Sequence, residues 1–214
     1  MKMLIKNSRP YRFLNNIRNL VDWNARKYSA PSPHFIKQLC LIRNGIPNAV
    51  WVETGTFLGS TTRVLAKIAS RVYSIEPEPT LFLNAKKGLN NFNNVEILYG
   101  TSEDVFPSLL QKINGDVNFW LDGHFSGGIT FKGGKDTPIV DELRCISEHL
   151  SHFKRITILI DDIRCFNPHI REYSAYPSVD FLVDWARKNK LHWHIEHDIF
   201  VAENHQTDPR PRNC

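Results

Sequence analysis

The 214-residue sequence predicts an α/β fold: a doubly wound, mostly parallel seven-stranded sheet that closes with a C-terminal antiparallel hairpin. Three observations predict it. Short apolar runs alternate with helical segments from residue 49 onward. The first run leads into a glycine-interrupted turn and an amphipathic segment, "VWVETGTFLGSTTRVLAKIAS" at 50–70. The chain then closes on two strand-like runs with almost nothing between them, "LHWHIEH" and "IFVAEN". Strands separated by helices pair in parallel through right-handed crossovers, whereas two strands joined by a tight turn pair antiparallel.

Residues 1–47 read as a helical N-terminal extension and 48–214 as the sheet domain. Within the extension, Leu14, Ile17 and Val21 follow helical spacing, which predicts a helix docked on the core. Residues 1–30 also carry Lys2, Lys6, Arg9, Arg12, Arg18, Arg26 and Lys27 against Asp22 alone. This basic stretch suits phosphate, an anionic glycan or an acidic membrane surface, or it is a solvated helix face. "SAPSP" at 29–33 is a linker, and a second helix is expected over 34–43, with Phe35, Leu39 and Ile42 on one face and Gly45 as its stop. Strands are expected at 49–54, 71–76, 95–99, 117–122 and 156–161, with helices at about 60–69, 79–91, 102–113, 137–151 and 178–189.

Composition excludes several classes. With 42% hydrophobic and 23% charged residues the chain is that of a soluble globular protein. No apolar run approaches the ~20 residues of a membrane span, and the N-terminus lacks a signal-peptide stretch, so a cytoplasmic location is expected. Cys40, Cys145, Cys165 and Cys214 form no C-x-x-C pair, which points to reduced thiols rather than zinc or disulfides.

Open sheets of this kind bind ligands at the carboxyl ends of their strands, where strand order reverses. Gly55 and Gly59 lie at such an end and let the backbone approach a ligand closely, while Ser60, Thr61 and Thr62 can cap the helix that follows. The G-x-x-x-G spacing matches neither the dinucleotide fingerprint nor the phosphate loop, and the turn carries no basic residue. Glu53 ends the strand instead, an acid that suits a positively charged ligand. Glu76 follows 23 residues later in "SIEPEP", the placement of an acid that accepts from ribose hydroxyls. Together they favour an adenosine-type ligand.

"VETGTFLGST", "SIEPEP", "YGTSEDVF" and "FWLDGH", in this order, resemble the class I S-adenosylmethionine-dependent methyltransferases over about residues 48–203. The resemblance implies a Rossmann-like sheet with a reversed last strand and S-adenosylmethionine as cofactor. It implies that Glu53, Thr54, Gly55, Thr56, Gly59, Ser60 and Thr61 surround the methionine part and that Glu76 and Pro77 hold the ribose. Thr101, Ser102 and Glu103 would flank the adenine, with Asp122 at the cofactor's edge.

Asp122 ends the fourth strand and Asp161 and Asp162 end the fifth. Carboxylates brought close repel unless a cation or proton sits between them, and hard oxygen ligands suit Mg²⁺ or another divalent cation. This set resembles the metal-dependent O-methyltransferases that act on sugars of macrolide and aminocoumarin type, which implies a metal held by Asp122, Asp161 and Asp162. The plainer alternative is a helix cap at Asp122 and a loop acid at Asp162. His124 is the candidate general base, or else a substrate contact. The glycine-rich loop after it, with Lys132, Lys135 and Asp136, reads as a substrate lid. "NPHI" at 167–170 is taken as a turn, and the "HWHIEH" histidines as alternation on a terminal strand.

The expected activity is therefore O-methylation of a small-molecule or glycan hydroxyl. No nucleic-acid partner is expected, because no continuous basic and aromatic surface is visible outside the N-terminus; a homo-oligomer is compatible with the sequence. A nicotinamide-dependent oxidoreductase is the alternative enzyme, although no Tyr-x-x-x-Lys pair occurs and the glycine spacing differs. A non-catalytic nucleotide-binding protein of the same fold would leave the three acids without a role.

Overall fold

The computed structural model describes residues 9–123 and 137–205. Two helices, α1 (Arg9–Ala25) and α2 (His34–Asn44), precede β1 (Val50–Thr54). Then follow α3 (Ser60–Leu65), β2 (Arg71–Glu76), α4 (Pro79–Gly88), β3 (Val95–Tyr99), α5 (Ser102–Leu110) and β4 (Gly115–Leu121). The chain continues through α6 (Ile139–His149), β5 (Phe153–Ile160), α7 (Val179–Lys188), β6 (His192–Glu196) and β7 (Ile199–Glu203), with three short 3₁₀ turns around β5 and before α7.

The seven strands form one sheet in the order β3-β2-β1-β4-β5-β7-β6, parallel except for β7, which runs antiparallel to β5 and β6. Strand order therefore reverses between β1 and β4. Both faces are covered. Trp51 of β1 packs on one side with Cys40, Leu41, Leu65, Trp120 and Leu159, while its neighbour Val52 packs on the other with Phe106, Phe119, Leu143 and Phe200. The period-two alternation of a strand buried on both faces produces this division.

Two features of the extension differ from expectation. Leu14, Ile17 and Val21 are exposed on α1, so the apolar stripe is not docked on the core; the helix is held at its end by Trp23, which is buried and meets the His197 ring edge-on at 5.5 Å. On α2 the expected face, Phe35, Leu39 and Ile42, is not the docked one, since Leu39 and Ile42 are exposed. The helix buries Lys37, Cys40, Leu41 and Asn44, an equally regular i, i+3, i+4, i+7 set. Two members of that set are polar, and they bury because carboxylates receive them. Asn44 donates to Glu196 at 3.2 Å, and Lys37 reaches the end of β5. Gly45 does end α2, for want of space: a Cβ there would lie 2.4 Å from the Trp51 ring.

Candidate active site

Register lines up the acids. Thr54 pairs with Ile75 and with Leu121, and Leu121 pairs with Ile160. One residue further along, Glu76, Gly55, Asp122 and Asp161 form a row across the carboxyl ends of β2, β1, β4 and β5. That row straddles the point of strand reversal, where ligands of doubly wound sheets sit.

The turn after β1 is shaped by its glycines. Gly55 has φ +86°, and a Cβ there would lie 2.6 Å from the Asp122 carbonyl oxygen. Gly59 has φ +69° and would crowd Leu89 at 2.9 Å. The Phe57 amide donates to Glu76 Oε2 at 2.7 Å and the Glu78 amide to Oε1 at 3.0 Å, so the Glu76 carboxylate is fixed by backbone on both oxygens. Burial still raises its pKa from the ordinary glutamate value. Arg63 of α3 reaches the far end of the turn, where its guanidinium donates to the carbonyls of Leu58, Gly59 and Gly88.

Glu53 is fully buried. Its Oε2 accepts from the Thr62 and Ser74 hydroxyls, both at 2.6 Å, and Thr56 closes the network on Ser74 at 2.6 Å. Its Oε1 is buried with no hydrogen-bond partner among the described residues. Burial pushes the Glu53 carboxyl up to about 7 against the lowering effect of the two hydroxyls.

A second acid of this kind was missed in the sequence. Glu142, in the first turn of α6, is buried, its Oε1 has no hydrogen-bond partner among the described residues, and burial pushes its carboxyl up to about 7 although the Ser102 and Thr54 hydroxyls face it. Thr54 also accepts from the Asp122 amide at 3.2 Å. Gly123 makes room here, since a Cβ would lie 3.0 Å from the Thr54 hydroxyl. Glu142, Gly123, Thr137, Asp161, Phe166 and Tyr176 line a small pocket beside the row. In sequence, Glu142 is an ordinary acid at a helix N-terminus.

The predicted residues divide accordingly. Glu53, Thr54, Gly55, Thr56, Glu76 and Asp122 come together around the turn, with Ser102 reaching it from α5 through Glu142. Ser60 instead bonds His34 of α2 at 2.9 Å, and Thr101 caps α5 by accepting from the Asp104 amide at 3.3 Å. Thr61 is buried in α3 and Pro77 half-buried beside Glu76. His124, Lys132, Lys135 and Asp136 lie outside the described residues.

At the β5 end, the cation is already a side chain. Lys37 Nζ lies 2.6 Å from Asp161 Oδ1, 2.7 Å from Asp161 Oδ2 and 2.6 Å from Asp162 Oδ1. Arg164 donates to both oxygens of Asp162, at 2.6 and 3.0 Å, and to Asp198. Asp162 adopts a left-handed backbone, φ +56°, which turns its carboxylate back toward these cations. Burial and the neighbouring Asp161 raise the Asp122 pKa well above the usual range, against the lowering effect of Lys37. The expected divalent site therefore does not fit: two of its three acids, Asp161 and Asp162, are already held by Lys37 and Arg164, neither of which was anticipated.

The described residues contain one His/Cys/Asp/Glu group with metal-like spacing, Cys40, Glu196 and His197. Glu196 is engaged there by the Cys40 thiol, Asn44 and Arg43. Cys40, Cys145 and Cys165 are free thiols, all buried. No helix among the described residues is long and apolar enough to cross a membrane.

No protein-family model and no curated relative matches the sequence. Solved structures match the fold. An O-methyltransferase from Bacillus cereus in complex with SAH aligns at TM-score 0.54 and 17% identity, over 87% of this chain and 88% of that one. An rRNA methylase from Streptococcus thermophilus aligns at TM-score 0.47 and 13% identity, over 82% and 96%. The 23S rRNA methyltransferase ErmE aligns at TM-score 0.49 and 15% identity, over 82% and 68%. The chain thus has the Rossmann-like fold of the class I methyltransferases. The expectation that excluded nucleic acid is withdrawn. A basic surface is assembled in space from residues distant in the chain, so scanning the sequence for one excluded nothing.

Proposed function

We propose that the chain is an S-adenosylmethionine-dependent methyltransferase acting on a hydroxyl of a small-molecule or glycan acceptor. One observation carries the cofactor reading: Glu53 and Glu142 each present a buried carboxylate oxygen that, among the described residues, has no hydrogen-bond partner and no basic side chain bonded to it. Buried charge without a partner is costly, so such a wall favours a cationic ligand and disfavours the pyrophosphate of a dinucleotide. The described residues fit S-adenosylmethionine on this criterion; when bound it supplies an electrophilic methyl group on a sulfonium.

In this reading Glu76, held by two backbone amides, accepts from the ribose hydroxyls, while Gly55 and Gly59 keep side chains out of the ligand's path. Asp122 and His124 attend the acceptor, one of them taking the proton from its hydroxyl as the oxygen becomes the nucleophile. Asp161 and Asp162, already engaged by Lys37 and Arg164, leave that proton transfer to Asp122 and His124. The acceptor class rests on the O-methyltransferase resemblance. Calorimetry with S-adenosylhomocysteine and with NAD tests the cofactor; binding of NAD alone would replace the reading with an oxidoreductase. A panel of sugars, phenols and structured rRNA with S-adenosylmethionine tests the acceptor, and methylation confined to RNA would overturn the hydroxyl assignment.

A further inference from the structure

We propose that the Lys37 ammonium is the resident cation of the edge formed by Asp161 and Asp162, taking the place a divalent ion takes between paired carboxylates, so that this chain works without a bound metal. Lys37 donates to Asp161 Oδ2 at 2.7 Å and to Asp162 Oδ1 at 2.6 Å, and its Nζ also lies 2.6 Å from Asp161 Oδ1, so three carboxylate oxygens surround one ammonium. Mg²⁺ would need those same oxygens at about 2.0–2.1 Å, which cannot be reached while Nζ bonds them. Nor is Lys37 free to swing aside. It is buried, and its helix is anchored one turn later by Cys40 and Leu41 in the core layer under β1 and by Asn44 on Glu196. Arg164 adds a second cation, bridging Asp162 and Asp198.

The assignment makes α2 part of the candidate active edge, so a stretch that reads as an appendage supplies a positioning residue. Lys37 orients Asp161, which lines the pocket beside Glu142 and Gly123. The statement about turnover rests on the methyltransferase reading; the statement about metal binding does not.

Electron paramagnetic resonance of Mn²⁺ tests it on the full chain, through loss of the free-ion signal. Wild type is expected to leave Mn²⁺ free at concentrations where Lys37→Met binds one ion per chain, at least tenfold more tightly. Lys37→Arg should behave as wild type, and adding Asp161→Asn to Lys37→Met should abolish the gained site. A folded Lys37→Met chain that binds no tighter than wild type overturns the proposal. If Lys37→Met does not fold, wild type against Asp161→Asn decides: Mn²⁺ bound by wild type and lost in Asp161→Asn overturns the proposal, and equal free signal supports it. S-adenosylhomocysteine calorimetry on the same wild-type sample reports separately on the cofactor, so failure of one reading is not mistaken for failure of the other.

Discussion

Glu53 is a residue whose chemistry burial has rewritten. Its carboxyl titrates at about 7 when folded against an ordinary 4.5, so between those values the folded chain holds a proton the unfolded chain has released. Stability contributed through this group therefore falls as pH rises from about 4.5 to 7 and is flat above. Melting curves from pH 5 to 7.5 should show wild type gaining stability on acidification, with a shallower slope in Glu53→Gln; the remainder is shared by Glu142, Asp161, Asp122 and Glu76, all shifted in the same direction. An unchanged slope in Glu53→Gln would contradict the assignment. A cationic ligand should drive these carboxyls to ionise, so binding of S-adenosylmethionine at pH 6.5 should release protons, and S-adenosylhomocysteine, without the sulfonium charge, should release fewer. Calorimetry in buffers of different ionisation enthalpy measures this, and zero release for both ligands would argue against the acidic wall as their site. The glycines offer a matched comparison. Gly55 and Gly115 have nearly equal φ, +86° and +85°, yet a Cβ meets the Asp122 carbonyl at Gly55 and open space at Gly115. Gly115→Ala should cost about 1–2 kcal/mol for the left-handed backbone alone, and Gly55→Ala clearly more, together with loss of S-adenosylhomocysteine binding. Equal costs in urea denaturation would remove the steric role.

Among the elements, the two helices of the extension carry opposite weight. On α1 the apolar Phe13, Leu14, Ile17, Leu20 and Val21 are all exposed and Trp23 is the buried anchor, so deleting residues 1–22 should leave the melting temperature nearly unchanged. Truncation of Leu41 on α2 should cost about 2–5 kcal/mol, the usual range for a buried leucine cut to alanine. If the 1–22 deletion proved as damaging as Leu41→Ala, α1 would have to dock in solution. A role for the basic start in recruiting an anionic acceptor predicts that the same deletion raises the apparent Michaelis constant more at low salt than at high salt, where screening has already weakened the attraction.

At the scale of the whole molecule, a ligand bound across β1, β2 and β4 stabilises the entire cooperative unit. A hundredfold excess of S-adenosylhomocysteine over its dissociation constant adds about 2.7 kcal/mol, which for a chain of this size raises the melting temperature by roughly 5 to 10 °C; NAD should produce no shift. The mostly parallel seven-stranded sheet, its antiparallel C-terminal hairpin and the placing of Glu53, Gly55, Glu76 and Asp122 at strand ends were legible in the sequence, because hydrophobic period and glycine punctuation are local signals and parallel crossovers leave few topologies. The docked face of α2 was not legible: Phe35, Leu39 and Ile42 make the stronger apolar stripe, and a lysine on a helix reads as solvated until a carboxylate is found to receive it. Glu142 stayed hidden for the same reason, its burial depending on packing against Thr54 and Ser102 from other elements. Sequence thus determined which acids gather at the sheet's edge, through strand periodicity. Only the tertiary structure decided what neutralises them, because ion pairing depends on distances between Lys37 and Asp161, 124 residues apart in the chain, that no local pattern encodes.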